Sequence, residues 1–277
     1  MRPVGPEYVR ASEARFRASD HGVVDERVAA ATAALDGASA NGPTTDGGVR
    51  LRAAADLARA GHSLYAAFRR TYRGEWRFES HSYSARWTEA REAAERARRA
   101  AESWQSHARA VTAAVETLGT TDPTPVPRLS VSAWYRDGSV LGRISGPLVD
   151  RLGGFEAFAD AVRHDETGLE AMRAGEYRAA EGAFAAAAET VGEGHRRLVR
   201  AAEDGAQAFA SYALPIRGRC GPFRTAYLAQ TDAAAAAASG DLDRAEELEG
   251  RAMDRILAAE LAHRLPRPET AAGESSG

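Results

Sequence analysis

Lysine is missing from this chain: all 36 basic residues among its 277 are arginine. A P-loop, a lysine Schiff base and the usual ion pair of protein kinases are therefore excluded. The single cysteine, Cys220, excludes an internal disulfide, and no pattern typical of a secreted disulfide scaffold is present. The N-terminal residues lack the apolar core of a signal peptide, and no run reaches the ~20 apolar residues of a membrane span. We expect a cytoplasmic protein without a membrane partner.

Residues that favour sheets are also scarce. Isoleucine occurs three times and aromatic residues make up 7% of the chain, whereas alanine occurs 62 times. Strands favour β-branched and aromatic side chains, while alanine has the highest helix propensity. The composition predicts an all-α fold of antiparallel helical hairpins or a bundle, without a substantial sheet.

The chain divides into four parts. Residues 1–118 are an N-terminal helical region with a long helix at about 84–118. The segment 119–130, with three prolines, is a linker. Residues 131–265 are predicted to form a region of helical hairpins, partly TPR-like as described below, and residues 266–277 a flexible tail.

Within these parts, local sequence patterns predict where individual helices begin and end. The periodicity predicts helical structure over 7–36 and a helix over about 49–73. The aromatic-rich segment 74–83, which opens with glycine, is interpreted as a compact linker. Proline suits the first turn of a helix, so Pro147 and Pro222 are predicted to lie at helix starts.

One local pattern resembles a known family. The segment Gly175-Glu-Tyr-Arg-Ala-Ala-Glu-Gly-Ala-Phe-Ala-Ala-Ala187 resembles the turn and second helix of a tetratricopeptide (TPR) repeat. In that family a glycine ends the first helix, an aromatic residue follows two positions on, and small and large residues alternate on the second helix. The residues at these positions are Gly175, Tyr177, Ala180, Phe184 and Ala187, with Gly168 at the small site of the first helix.

A second, weaker copy follows, so the resemblance covers residues 164–191 and 229–256 only. This copy departs at Glu249, where a large apolar residue is expected, and its glycine lies 65 residues after the first. Two TPR repeats would span 68 residues, at 34 each. The positions that it keeps are Gly240, Leu242, Ala245 and Ala252. The resemblance implies a stacked binding surface, while generic antiparallel helical hairpins are the alternative.

The densest aromatic region, residues 62–104, also holds many arginines. One interpretation is that its rings pack the helix at 49–73 against the long helix that follows. The other is a binding surface, since arginines neutralise phosphates and aromatic rings stack bases. The candidate binding residues are Arg69, Arg70, Tyr72, Arg73, Trp76 and Arg77. Residues 50–109 carry a net charge of +6 and residues 150–211 carry −5, so the two stretches could attract each other or an anionic partner.

Cys220 lies among arginines, and the candidate anion site comprises Arg217, Arg219, Cys220 and Arg224. Neighbouring arginines and a helix N-terminus favour a thiolate. The run resembles a phosphatase loop, but the loop arginine would have to stand at position 226, which is alanine. A turn with an incidental cysteine is the favoured interpretation, and a reactive thiol or anion site is the alternative.

From these observations we expect a non-enzymatic, helical protein-interaction or scaffold protein whose partner is another protein or a second copy of the chain. The alternative is a nucleic-acid or polyanion-binding protein that uses the Arg/aromatic-rich region 62–104. No residue is predicted to be catalytic or to bind a metal, and no cofactor is expected.

Overall fold

The computed structural model describes residues 46–118, 131–203 and 213–265, together with Ala30 and Ala33. Within these ranges every regular element is an α-helix, so the predicted all-α fold class is confirmed. The helices are α1 (Asp46–Tyr83), α2 (Trp87–Leu118), α3 (Val131–Arg173), α4 (Tyr177–Glu203), α5 (Ala213–Ala238) and α6 (Leu242–Ala262).

Several predictions concern residues outside the described ranges. These are most of the helical structure at 7–36, the linker at 119–130 and the tail at 266–277. The division into sequence domains stays a prediction.

The predicted linker at 74–83 is wrong, because these residues complete helix α1. Gly74 does not break the helix: a Cβ built there would lie 2.6 Å from the Cβ of Ala97, so glycine lets α1 and α2 approach closely. Phe78 is fully buried, which adds a packing contribution that outweighs the modest helix propensities of glycine and the aromatic residues.

The predicted helix starts at Pro147 and Pro222 are also wrong. Both prolines lie inside long helices, α3 and α5. An interior proline removes one backbone hydrogen bond and costs about 3 kcal/mol. The apolar residues that follow each proline are buried, among them Leu148 and Phe223, and their packing offsets that cost.

Contacts divide the chain into two compact units, and the boundary falls inside α1, α2 and α3. Unit 1 comprises residues 1–71 and 99–149, and unit 2 comprises residues 72–98 and 150–277. In unit 1, Phe68 packs edge-to-face on Trp104 with ring centroids 5.2 Å apart, and Gly142 lies against Ala108. Among its described residues, the core of unit 1 combines this aromatic pair with buried leucines such as Leu57 and Leu64 and with many alanines.

Unit 2 has a chain of aromatic contacts through its core. Phe78 of α1 stacks on Phe155 of α3 at a centroid distance of 4.5 Å. Phe158, one turn further along α3, contacts Trp87 of α2 and Phe223 of α5. These large rings fill the space that alanine side chains leave between the helices.

A buried ion pair accompanies these rings. The Arg151 guanidinium of α3 contacts the carboxylate of Glu75 on α1, and the two residues are 1% and 6% exposed. Burial lowers the pKa of Arg151, while the negative charges of Glu75 and Glu79 oppose that shift. Two further ion pairs join α2 to α3 at half-buried positions: Arg98 with Glu156 at 2.7 Å, and Arg91 with Asp160 at 3.2 Å.

In the described part of unit 2, three helix–helix turns have the same geometry. They join α1 to α2, α3 to α4 and α5 to α6, and each has one residue with positive φ: Ala85 (53°), Gly175 (77°) and Gly240 (88°). In each turn the next residue donates its N–H to the carbonyl five positions back, at 2.9–3.0 Å. This pattern is the Schellman motif, which satisfies carbonyls at the end of a helix.

The residues that follow these turns also correspond. Five positions after the residue of positive φ, each second helix has a buried alanine, and seven residues later it has another. The pairs are Ala90 and Ala97, Ala180 and Ala187, and Ala245 and Ala252. Alanine at these positions lets the two helices of a hairpin approach closely. The three turns therefore introduce three hairpins of one kind. The sequence predicts two of these hairpins, those with turns at Gly175 and Gly240.

Candidate functional site

Helix α6 packs on α5 through a narrow row of small residues. Ala245, Ala252 and Ala259 recur every seven residues and are at most 5% exposed. Ala252 meets Ala226 and Ala229 of α5. Small side chains on both helices allow a close approach, so α6 buries alanines and leaves much of its circumference outside the contact.

Large apolar side chains of α6 lie outside that row. Met253, Leu257 and Leu261 follow one another at four-residue spacing, and their side chains are 41%, 50% and 64% exposed. Residues four apart share a helix face, so they form a continuous apolar stripe. We call Met253, Leu257 and Leu261 the α6 stripe.

The first half of α6 is fixed by polar contacts. Asp241 caps the helix and accepts a hydrogen bond from the backbone N–H of Arg244 at 3.1 Å. Glu247 pairs with Arg244 and Arg251, and its pKa is lowered by the hydrogen bond from Arg244 and by both positive charges. These exposed pairs contribute little stability, whereas the Asp241 cap defines where the helix begins.

The predicted Arg/aromatic surface lies along α1. Arg70, Arg73 and Arg77 are exposed, whereas Arg69, Tyr72 and Trp76 are half-buried. The first two of these six positions belong to unit 1 and the other four to unit 2.

Two histidines near these arginines have lowered pKa values. Burial and the positive charge of Arg86 lower the pKa of His81, and burial and Arg70 lower that of His107. Phe68, Phe78 and Trp104, also in the region 62–104, are at most 8% exposed and pack between helices. Those three rings stabilise the core and are not accessible for base stacking.

The predicted anion site is not one cluster, because its residues lie on different sides of α5. Cys220 is fully buried and donates its thiol hydrogen to the carbonyl of Ile216 at 3.2 Å. Burial raises its pKa to about 12, so the group is a thiol at neutral pH. Arg219 is 6% exposed and its Nε donates to the carbonyl of His263 at 2.8 Å.

The remaining two arginines of that predicted site have other roles. Arg217 is half-buried and lines a cleft, and Arg224 is exposed beside Gly192 of α4. The predicted turn around Cys220 is wrong, because α5 runs through it. In a helix, residues two apart point in different directions, which separates Arg217 from Arg219.

A buried acidic group lies elsewhere in unit 2. Burial raises the pKa of Asp165 to about 6, and the negative charge of Glu166 acts in the same direction, whereas the side-chain amide of Gln230 opposes the shift. Tyr227 is 1% exposed, and burial raises its pKa well above the ordinary value. No signal in the sequence marks this cluster, because its residues come from separate helices.

The described residues contain neither a metal-site cluster nor a membrane-spanning helix. No group of three or more histidine, cysteine or carboxylate side chains with the arrangement of a metal site occurs in these ranges. None of the helices described above has a stretch both long and apolar enough to cross a bilayer.

Comparison with known proteins adds no functional information. No protein-family model matches this chain, and neither the search of curated proteins nor that of solved structures found a match.

Proposed function

We propose that this chain is a non-enzymatic, helical interaction protein that pairs with a second copy of itself through the α6 stripe. The observation that carries this proposal is the exposure of Met253, Leu257 and Leu261 on the last described helix. Contiguous exposed apolar side chains mark interaction surfaces more often than isolated ones do.

The recurrence of similar helical hairpins supports the proposal. The TPR resemblance and the three equivalent turns at Ala85, Gly175 and Gly240 fit an array of helical hairpins. In such arrays a helix face that no neighbouring helix covers has to be polar for the protein to stay soluble. Helix α6 packs on α5 and has leucine and methionine on another face, so we expect a partner to cover that face.

Charge favours a second copy in antiparallel orientation. Residues 241–249 contain five acidic residues and one arginine, for a net charge of −4, whereas residues 250–264 contain three arginines and two acidic residues. An antiparallel pair of α6 helices centred on Leu257 keeps the two acidic segments apart, at opposite ends of the interface. A parallel pair would place the two acidic segments together. A two-fold interface of this kind is self-complementary, and two-fold dimers are the commonest oligomers.

The test is the mass of the full-length protein in solution, measured by light scattering after gel filtration over a range of concentrations. Leu257→Glu places a charge in the middle of the stripe, and we expect it to shift the dimer to monomer. The matched control is Ala258→Glu, which adds the same charge at an exposed neighbouring position outside the stripe. Monomeric wild type, or equal dimerisation of both variants, would overturn the proposed self-association.

The broader interaction function has its own test. Affinity purification from the native host, with a nuclease-treated control, should recover a protein partner that survives the nuclease. Loss of every partner with the nucleic acid would instead support the second candidate function.

That second candidate is polyanion binding along the part of α1 in unit 2, which the exposure of Arg73 and Arg77 supports. It predicts that a single-stranded oligonucleotide binds with a strong salt dependence. The double variant Arg73→Gln/Arg77→Gln should weaken binding and flatten that dependence. Unchanged binding by this variant would remove the candidate.

We further propose a cytoplasmic location. The one cysteine, Cys220, is a buried free thiol, which is typical of a reducing compartment.

A further inference from the structure

A cleft with a volume of about 620 Å³ opens in unit 2, lined by the start of α5, the end of α6 and His195 of α4. Its volume is within the range of about 300–1,000 Å³ that is typical of small-molecule sites. The four basic lining residues are His195, Arg217, His263 and Arg264, and large apolar side chains such as Leu214 and Pro222 form further parts of the wall.

The lining has charge of one sign. Two arginines are permanently positive and two histidines become positive when protonated, and no aspartate or glutamate lines the cleft among the described residues. Two fixed positive charges near one cavity repel each other, and an anionic ligand that sits between them removes this repulsion. The same charges would increase the rate at which such a ligand arrives.

Neighbouring residues hold the end of α6 in place. Position 218 carries no side chain, and a Cβ built there would come within 2.5 Å of Nδ1 of His263, so the imidazole lies directly against α5. Arg219 donates from Nε to the carbonyl of His263 at 2.8 Å, and the N–H of His263 donates to Ala259 at 2.9 Å. The backbone of His263 is thus fixed at the wall of the cleft, with its ring against α5.

The imidazole of His195 also lines the cleft. Its Nδ1 is buried and has no hydrogen-bond partner within the described ranges. A buried polar atom without a partner costs about 1–3 kcal/mol.

We propose that this cleft binds a small organic phosphate, with the phosphate between Arg217 and Arg264 and the organic group against Leu214 and Pro222. A phosphate has several oxygens and therefore matches a set of donors from two arginines and two histidines better than a carboxylate does. The apolar wall requires that the phosphate carries an organic group. This site is separate from the α6 stripe and does not depend on dimerisation.

The test is titration calorimetry of the full-length protein with three probes. Phenyl phosphate carries both the charge and an apolar group, inorganic phosphate carries the charge alone, and phenol carries the ring alone. We expect saturable one-to-one binding of phenyl phosphate, weaker binding of inorganic phosphate, and no measurable binding of phenol. Absence of saturable phenyl phosphate binding at millimolar concentrations would overturn the site.

Variants assign the binding to this cleft. Arg217→Gln and Arg264→Gln should each weaken phenyl phosphate by about tenfold or more, which is the usual effect of losing a charged hydrogen bond. The second residue is exposed, so its variant keeps the test valid if the first fails to fold. The control is Arg178→Gln, an exposed arginine of α4 outside the cleft. Equal loss in this control, or no loss in either cleft variant, would overturn the assignment.

Discussion

Ala85 and Gly175 occupy the same position in two turns of unit 2, the first between α1 and α2 and the second between α3 and α4. Both have positive φ, 53° for Ala85 and 77° for Gly175. The left-handed conformation costs residues with a Cβ roughly 1–2 kcal/mol, whereas glycine adopts it readily. Ala85 therefore introduces local strain that Gly175 avoids.

We expect Ala85→Gly to stabilise unit 2 by about 1 kcal/mol, because the change relieves this strain. Gly175→Ala should destabilise it by a similar amount for the converse reason. Thermal denaturation of the two variants should shift in opposite directions. Shifts in the same direction would contradict the equivalence of the two turns.

Gly168 tests the close packing of the α3–α4 hairpin. A Cβ built there would lie 2.5 Å from Cε1 of the buried Phe184 ring. Gly168→Ala should therefore destabilise by ~1–3 kcal/mol, since the ring must move in a filled core. The matched control is Gly182→Ala, at an exposed helical position with nothing within 4 Å of the new Cβ. That change should stabilise by up to about 1 kcal/mol, because alanine is the better helix former.

The buried pair of Glu75 and Arg151 gives a prediction on charge. Glu75→Gln removes the nearest counter-charge of a buried guanidinium, so we expect a loss of ~3–5 kcal/mol in urea denaturation. The double variant Glu75→Leu/Arg151→Met should lose much less, because it removes both charges and keeps the volume.

The exposed pair of Arg178 and Glu181 is the control for that experiment. Its side chains are 2.8 Å apart, and that of Arg178 is 77% exposed. Glu181→Gln should change stability by no more than about 0.5 kcal/mol. A double variant of Glu75 and Arg151 as unstable as the single one would show that the pair matters through packing rather than charge.

Cys220 should be chemically inert in the folded protein. Its side chain is fully buried and its pKa is raised to about 12, so almost no thiolate is present at pH 8. A disulfide reagent such as Ellman's should label it only after unfolding in urea. Complete labelling of the native protein within seconds would revive the reactive-thiol interpretation.

Asp165 should make the stability of unit 2 depend on pH. Its pKa is raised from 3.8 to about 6 in the folded state, so the folded protein binds the proton more tightly than the unfolded chain. Its stabilising contribution is full below pH 3.8 and is lost as the pH rises through about 6. Asp165→Asn stays neutral, so it should have a higher Tm than wild type at pH 7.5 and little advantage at pH 4.

Calorimetry from pH 4 to 7.5 checks this prediction. Asp254→Asn, at an exposed position of α6, is the control and should not reproduce the pH-dependent gain. A difference between Asp165→Asn and wild type that stays constant over this range would mean that burial of the carboxyl is not the cause.

The amino-acid sequence by itself determined the helical class and two of the three turns. Many alanines and few β-branched residues leave no strong alternative to helix. Gly175 and Gly240 mark their turns because glycine is the usual residue in the left-handed position that ends a helix. The third turn has Ala85 in that position, and an alanine gives no signal of a turn in the sequence.

Tertiary structure also decided where the long helices continue. Gly74, Pro147 and Pro222 are ordinary helix-breaking signals, yet each lies inside a helix whose neighbouring residues are buried. The local cost at each position is a few kcal/mol at most, and contacts with residues distant in sequence offset it.

The candidate site shows the same division most clearly. Helix α6 has two sets of regularly spaced apolar residues: the alanines Ala245, Ala252 and Ala259, and the larger residues Met253, Leu257 and Leu261. Burying large apolar side chains normally stabilises a fold more than burying alanines does. The structure buries the alanines instead, because α5 is itself rich in alanine and two smooth faces approach closely. Which of two apolar faces turns inward depends on the shape of the neighbouring helix, and a single helix does not encode that shape.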